Sequence, residues 1–187
     1  KSTPRPAPAL APPAPLPKPP PRSSGLVRID QVLDRLSKTR TVFYNEADFQ
    51  HAFALVMREE GATKVRLEQR FDSLGGYLDL HALFEGRLVG VELKYWTRLL
   101  NVEVAGESFA LKQQGANPLS RYDFIKDIDR LEALIRASDA EVGYAIALTN
   151  DPMYWNPGRS GSMDDAFRLN EGAVLEGKLD WKPGTTP

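Results

Sequence analysis

The sequence predicts an α/β fold, a mixed central β-sheet flanked by helices in the order αβββαβ. Three observations carry this. Helical patterns precede a run of strands of alternating polarity. The two residues Glu85-Gly86 sit between two such strands as a tight turn. A long amphipathic segment then precedes Val142–Thr149, an apolar run free of charge. At 187 residues the chain suits one domain, against a norm of roughly 150 residues.

Residues 1–24, KSTPRPAPALAPPAPLPKPPPRSS, are rich in Pro and Ala. Proline removes backbone donors and fixes φ, so this stretch is expected to be a disordered, extended linker. It would tether the domain, residues 25–187, to an upstream domain or partner protein. A PxxP ligand for a proline-reading module is the rival reading. Lys1, in place of an initiating Met, reads as a start within a longer protein.

In LVRIDQVLDRLSK, Leu26, Ile29, Val32, Leu33 and Leu36 recur at helical spacing. A second helix follows Asn45, which can cap it, and stops at Gly61. Its apolar stripe is Phe49, Phe53, Val56 and Met57. Strands are predicted at Lys64–Phe71, Tyr77–Phe84 and Arg87–Trp96, with a turn at DSLGG and a smaller hairpin around Gly106. SRYDFIKDIDRLEALIRAS reads as a helix with a capping-box-like start at Ser120 and Asp123. Its core face is Phe124, Ile125, Ile128, Leu131, Leu134 and Ile135. Val142–Thr149 reads as a buried strand after a crossover. SGSMDDAFRLNEGAVLEGKLDW is expected to pack on the sheet edge.

Composition narrows the function. The apolar runs are far short of the ~20 residues a membrane helix needs. There is no cysteine, hence no disulfide and no thiolate chemistry. A cytoplasmic location is expected, a secreted toxin domain being the alternative. The net charge of −1 hides an asymmetry: residues 1–24 hold four bases and no acid, leaving 20 basic against 25 acidic residues, a balance of −5. That argues against tight unaided binding to a polyanion.

The Glu85-Gly86 turn sets a register in which Phe84 faces Arg87 and Asp79 lies opposite Glu92. Opposed residues share a face about 5 Å apart, so Asp79, Glu92 and Lys94 form one cluster. Leu78, Leu80, Ala82, Val89, Val91 and Leu93 make the core on the other face. Two opposed carboxylates repel each other unless a cation lies between them. Hard oxygen ligands on a rigid hairpin suit Mg²⁺, with Mn²⁺ as its substitute. Lys94 beside them can orient or deprotonate a water, or stabilise charge on a phosphoryl oxygen. Glu46 or Gln50, from the preceding helix, can complete the outer shell. The parts point to metal-assisted phosphodiester hydrolysis.

Asp79, twelve residues, then Glu92-Leu93-Lys94 resembles the motif of the PD-(D/E)XK nuclease superfamily, the restriction-endonuclease-like fold. GYLDL stands for the first element, VELK for the second, NEADFQ for the acid-bearing helix, and SRYDFIKDIDRLEAL with VGYAIALT for the return. Leu78 replaces the proline of the motif. The resemblance covers about residues 42–150 and implies a divalent-metal-dependent nuclease, on DNA ahead of RNA. Asp79 and Glu92 would be metal ligands, Lys94 would act at the attacking water, and Glu46 would be the helix-borne acid. Gln113, Gln114, Arg121, Lys126 and Arg130 are further candidates for contact with substrate phosphates. The linker would make the domain the effector of a larger bacterial defence or toxin protein, and a homodimer would suit double-strand cutting. The alternatives are a catalytically inactive binding or assembly module and an RNase on the same scaffold.

Blander readings stand beside these. The cluster can be a solvated strand face with a weak Lys–Glu pair. His81 shares the cluster's face, where it can meet substrate or metal, or be a hydrogen-bonded structural histidine. Tyr77, Tyr95 and Trp96 can stack on bases or simply pack. Asn150, at a strand end, can border the site or cap a turn. The charges of RYDFIKDIDRLE are expected mostly on an exposed helix face.

Overall fold

The computed structural model describes residues 28–114, 117–156, 158, 161–170 and 172–183, so the expected linker and Leu26 lie outside the described residues. Two helices lead. α1 spans Ile29–Thr39 and buries Val32 and Leu36; α2 spans Glu46–Glu59 and buries Phe49, Phe53, Val56 and Met57. Asn45 caps α2 by accepting the Asp48 amide at 2.9 Å. Gly61, at φ 103°, supplies the left-handed residue that ends it.

The architecture is mixed α/β. β1 (Thr63–Phe71), β2 (Gly76–Phe84) and β3 (Arg87–Trp96) form an antiparallel meander. Glu85 and Gly86 both take positive φ, as a two-residue hairpin turn requires. β4 (Leu100–Val104) and β5 (Glu107–Leu111) form a separate small hairpin. α3 (Asn117–Arg136) then crosses back to β6 (Val142–Thr149), which lies parallel to β3. The main sheet has the order β1-β2-β3-β6. Among the described residues no helix is long and apolar enough to cross a membrane.

Both faces of the sheet are covered. α1 and α2 close the larger core over Leu80, Ala82, Val89, Val91 and Leu93. On the other face α3 comes down onto bare backbone. Gly90 pairs with Gly143 across β3 and β6. A Cβ at Gly90 would stand 2.7 Å from Leu134 Cδ2, and one at Gly143 would stand 3.1 Å from Leu131 Cβ. These two glycines let the helix approach, and that approach carries its polar residues to the strands.

Five expectations change. Ile135, expected on the core face of α3, is exposed near its C-terminal end. α3 begins at Asn117, so Ser120 lies inside the helix rather than capping it; Pro118 sits in the first turn, where a missing amide costs nothing. β6 is half-buried rather than buried, because it is the edge of the sheet. Leu78 packs with Leu131 and Leu134, on the opposite side from Leu80. The β1–β2 pairing skips Glu68 and Asp79, and Glu68 takes φ 49°, so β2 rotates at Asp79. The C-terminal stretch packs on α3 instead of a sheet edge. Tyr122 meets the rings of Phe167 and Trp181, and Arg121 pairs with Asp164.

Candidate active site

The hairpin keeps the register its turn dictates, from Phe84–Arg87 to Leu80–Val91. There the ladder ends while β3 runs on to Trp96. The strands part, and carboxylates take the β3 amides left in the fork. Asp79 Oδ2 accepts the Leu93 amide at 2.6 Å, and Glu46 Oε2 accepts the Tyr95 amide at 2.9 Å. Charge-assisted bonds of this kind fix a carboxylate more firmly than a neutral pair would. Asp79 is also held from behind. Gln50, buried on α2, donates from Nε2 to the Asp79 carbonyl and to Glu68 Oε1, both at 2.8 Å. The amide thus takes the place of the backbone pairing lost at Glu68.

Glu92 and Lys94 project from β3 toward α3. Glu92 is only 2% exposed. Lys94 Nζ lies 3.0 Å from Asp127 Oδ2. Arg130 Nη2 lies 3.2 Å from Glu92 Oε1, its Nη1 lies 3.8 Å from Asp127 Oδ1, and its guanidinium also donates to the Tyr77 carbonyl. The result is four carboxylates, Glu46, Asp79, Glu92 and Asp127, around two cations.

The electrostatics follow from that excess. Burial, then the charge of Asp79, push Glu92 up to about 8, with Arg130 pulling the other way. Burial likewise raises Asp127 and Glu46, although Lys94 opposes both. Glu46 is an exposed residue overall, yet its carboxylate reaches inward to the Tyr95 amide. For Lys94 burial would lower the value. Asp127, then Asp79 and Glu46, outweigh it and hold the ammonium above its usual range. Lys94 is therefore a fixed positive charge rather than a ready base.

The structure brings together Asp79, Glu92, Lys94 and Glu46, and it adds Asp127 and Arg130. Asp127 was expected on the exposed face of α3 but is buried. The signal was present: it stands three residues after Phe124 and four before Leu131, inside the apolar stripe. Arg130, expected on substrate phosphate, lies on Glu92 instead. Arg121 is 2% exposed and bonded to Asp164 and the Met153 carbonyl, so it is closed to a phosphate contact. Lys126 is exposed, with its ammonium on Asp123 and over the Tyr122 ring, away from the cluster. Gln113 and Gln114 are exposed beyond β5; the Gln114 amide is tied to Thr97 O at 2.9 Å, near the end of β3. His81 Nε2 donates to the Asp139 carbonyl at 3.1 Å and its ring meets Phe71 edge-on, a structural role. Tyr95 and Trp96 are buried in packing, Trp96 stacked on Tyr154, while Tyr77 is exposed. Asn150 bridges the backbone of Arg98 through both side-chain atoms.

Among the described residues no three carboxylate or imidazole groups converge closely enough to enclose a metal by themselves. A hard divalent cation such as Mg²⁺ needs only one or two protein carboxylates, the rest being water and substrate. The donor set fits that demand. It carries an excess of negative charge, and Glu92 Oε1 is buried without a well-formed hydrogen bond. No family model matches the chain, and neither a curated protein nor a solved structure matches it.

Proposed function

We propose that the chain is a divalent-metal-dependent nuclease of the PD-(D/E)XK kind, hydrolysing phosphodiester bonds of DNA ahead of RNA. It would serve as the effector domain of a larger bacterial defence or toxin protein. The observation that carries the reading is the fork between β2 and β3, where Asp79 and Glu46 are anchored on β3 amides beside Glu92 and a charged Lys94. Asp79 and Glu92 are the residues that would hold Mg²⁺. When bound, the ion supplies Lewis acidity toward a phosphoryl oxygen. Lys94, kept protonated by Asp127, stabilises negative charge developing on the phosphoryl group and orients the attacking water as a donor. Glu46 holds the Tyr95 amide and so fixes the β3 backbone on which Lys94 stands.

One observation favours a second reading, an inactive binding module: Glu92 and Lys94 each already face an opposite charge on α3, Arg130 and Asp127. A cleavage panel separates the two. Plasmid, linear duplex, single-stranded DNA and RNA are incubated with Mg²⁺, Mn²⁺ or EDTA, with Lys94→Ala alongside. Metal-dependent cutting reduced about 10²–10³-fold in Lys94→Ala is expected, and the preferred substrate decides between DNA and RNA. Cutting that survives EDTA, or an unimpaired Lys94→Ala, refutes the proposal.

A further inference from the structure

We infer that Arg130 is a built-in counter-ion of the candidate metal site, a guanidinium that a divalent cation must displace from Glu92 in order to bind. The inference rests on the metal-dependent reading above. Glu92 is almost wholly buried, and the cation nearest its carboxylate is Arg130, at 3.2 Å. Glu92 stands buried beside the like charge of Asp79, and a cation placed against it offsets that repulsion. Arg130 supplies that charge from α3, while its second contact, to the Tyr77 carbonyl, spans to the start of β2 just before Asp79. It therefore reaches across both strands that carry the two acids.

Its anchoring is incomplete. Nε is buried without a hydrogen bond, and Nη1 lies 3.8 Å from Asp127 Oδ1, a loose contact. Lys94, by contrast, stands 3.0 Å from Asp127. Of the two cations Arg130 is the one free to yield, because Asp127 remains neutralised by Lys94 after it leaves. A ligand that needs a minor state binds more weakly by the fraction of time that state is populated. If the Arg130–Glu92 pair is made about nine-tenths of the time, apparent metal affinity falls about tenfold.

The test is metal binding itself, read by calorimetry with Mn²⁺ and by Mn²⁺ spin resonance, on the whole chain. Arg130→Gln is expected to bind Mn²⁺ about tenfold tighter than the wild type, and Asp79→Asn is expected to lose binding. Removing the guanidinium can destabilise the apo fold, so the unmodified chain is examined as well. The Arg130 Nε–H resonance, assigned by its absence in Arg130→Lys, is expected to shift on Mg²⁺ addition with the midpoint of binding. It should stay still in Asp79→Asn. If the wild type binds Mn²⁺ through Asp79 but Arg130→Gln binds no tighter and the resonance does not move, the inference is wrong and the metal reading stands. If neither chain binds Mn²⁺, both fall.

Discussion

Replacing Gly90 with alanine should destabilise the protein, against the usual direction of that substitution. Gly90 has ordinary negative-side backbone geometry, and in open space Gly→Ala there would gain about 0.4–1 kcal/mol by stiffening the unfolded chain. The added Cβ would instead stand 2.7 Å from Leu134 Cδ2, with Leu78 and Leu131 methyls at 3.4 and 3.5 Å. Carbon atoms rest about 3.5–4.0 Å apart, so roughly 1 Å must be found in a region where Leu134 is fully buried. Overpacking of this kind costs about 1–3 kcal/mol. With a urea slope of roughly 2 kcal/mol/M, the unfolding midpoint should fall by about 0.5–1.5 M. In a Leu134→Ala background the clash is gone, so Gly90→Ala should cost less there than in the wild type, a coupling on the order of 1 kcal/mol. A midpoint that stays put or rises, with no coupling to Leu134, would refute the seat of α3 on the sheet. The same shift draws Asp127 from Lys94, so cutting, where present, should fall alongside stability.

Two further outcomes bear on the cluster and its surroundings. Glu92 is held up to about 8 by burial and Asp79, whereas an unfolded glutamate titrates at about 4.3. Between those values the folded chain holds the extra proton, so stability without metal should fall as pH rises through that window. Glu46 and Asp127, raised by burial, add the same sign; His81, lowered by burial, opposes it around its ordinary range. Urea midpoints measured from pH 5.5 to 8 should decline in the wild type and decline less in Glu92→Gln; an equal slope in both would remove Glu92 as the cause. Separately, Arg121→Ala leaves the buried Asp164 with Arg168, at 3.3 Å, as its remaining cation and the Ser162 hydroxyl, at 2.8 Å, as a neutral donor, and should cost about 3 kcal/mol. A loss under about 0.5 kcal/mol, the range of surface substitutions, would show that the C-terminal stretch is not locked to α3.

The sequence by itself determined the local grammar of this protein. Asn45 and Gly61 bound α2, and Glu85-Gly86 allows one hairpin register, because a two-residue turn with both φ values positive leaves no freedom of slip. That register alone places Asp79 by Glu92 and Lys94. The tertiary structure decided what the strands do beyond the hairpin and what lies on top of them. The pairing of β2 with β3 stops after Leu80, and whether two strands stay joined depends on Gln50 and Glu68, which come from other elements. Asp127 stands within the apolar stripe of its helix and Arg130 beside it, but which groups they meet is not set until that helix is seated. What seats it is the absence of side chains at Gly90 and Gly143, on strands more than fifty residues apart in sequence. The chemistry of a cluster is a sum over everything within a few ångströms. A chain read in one dimension shows the groups on one hairpin, and only packing brings in the charges that neutralise them.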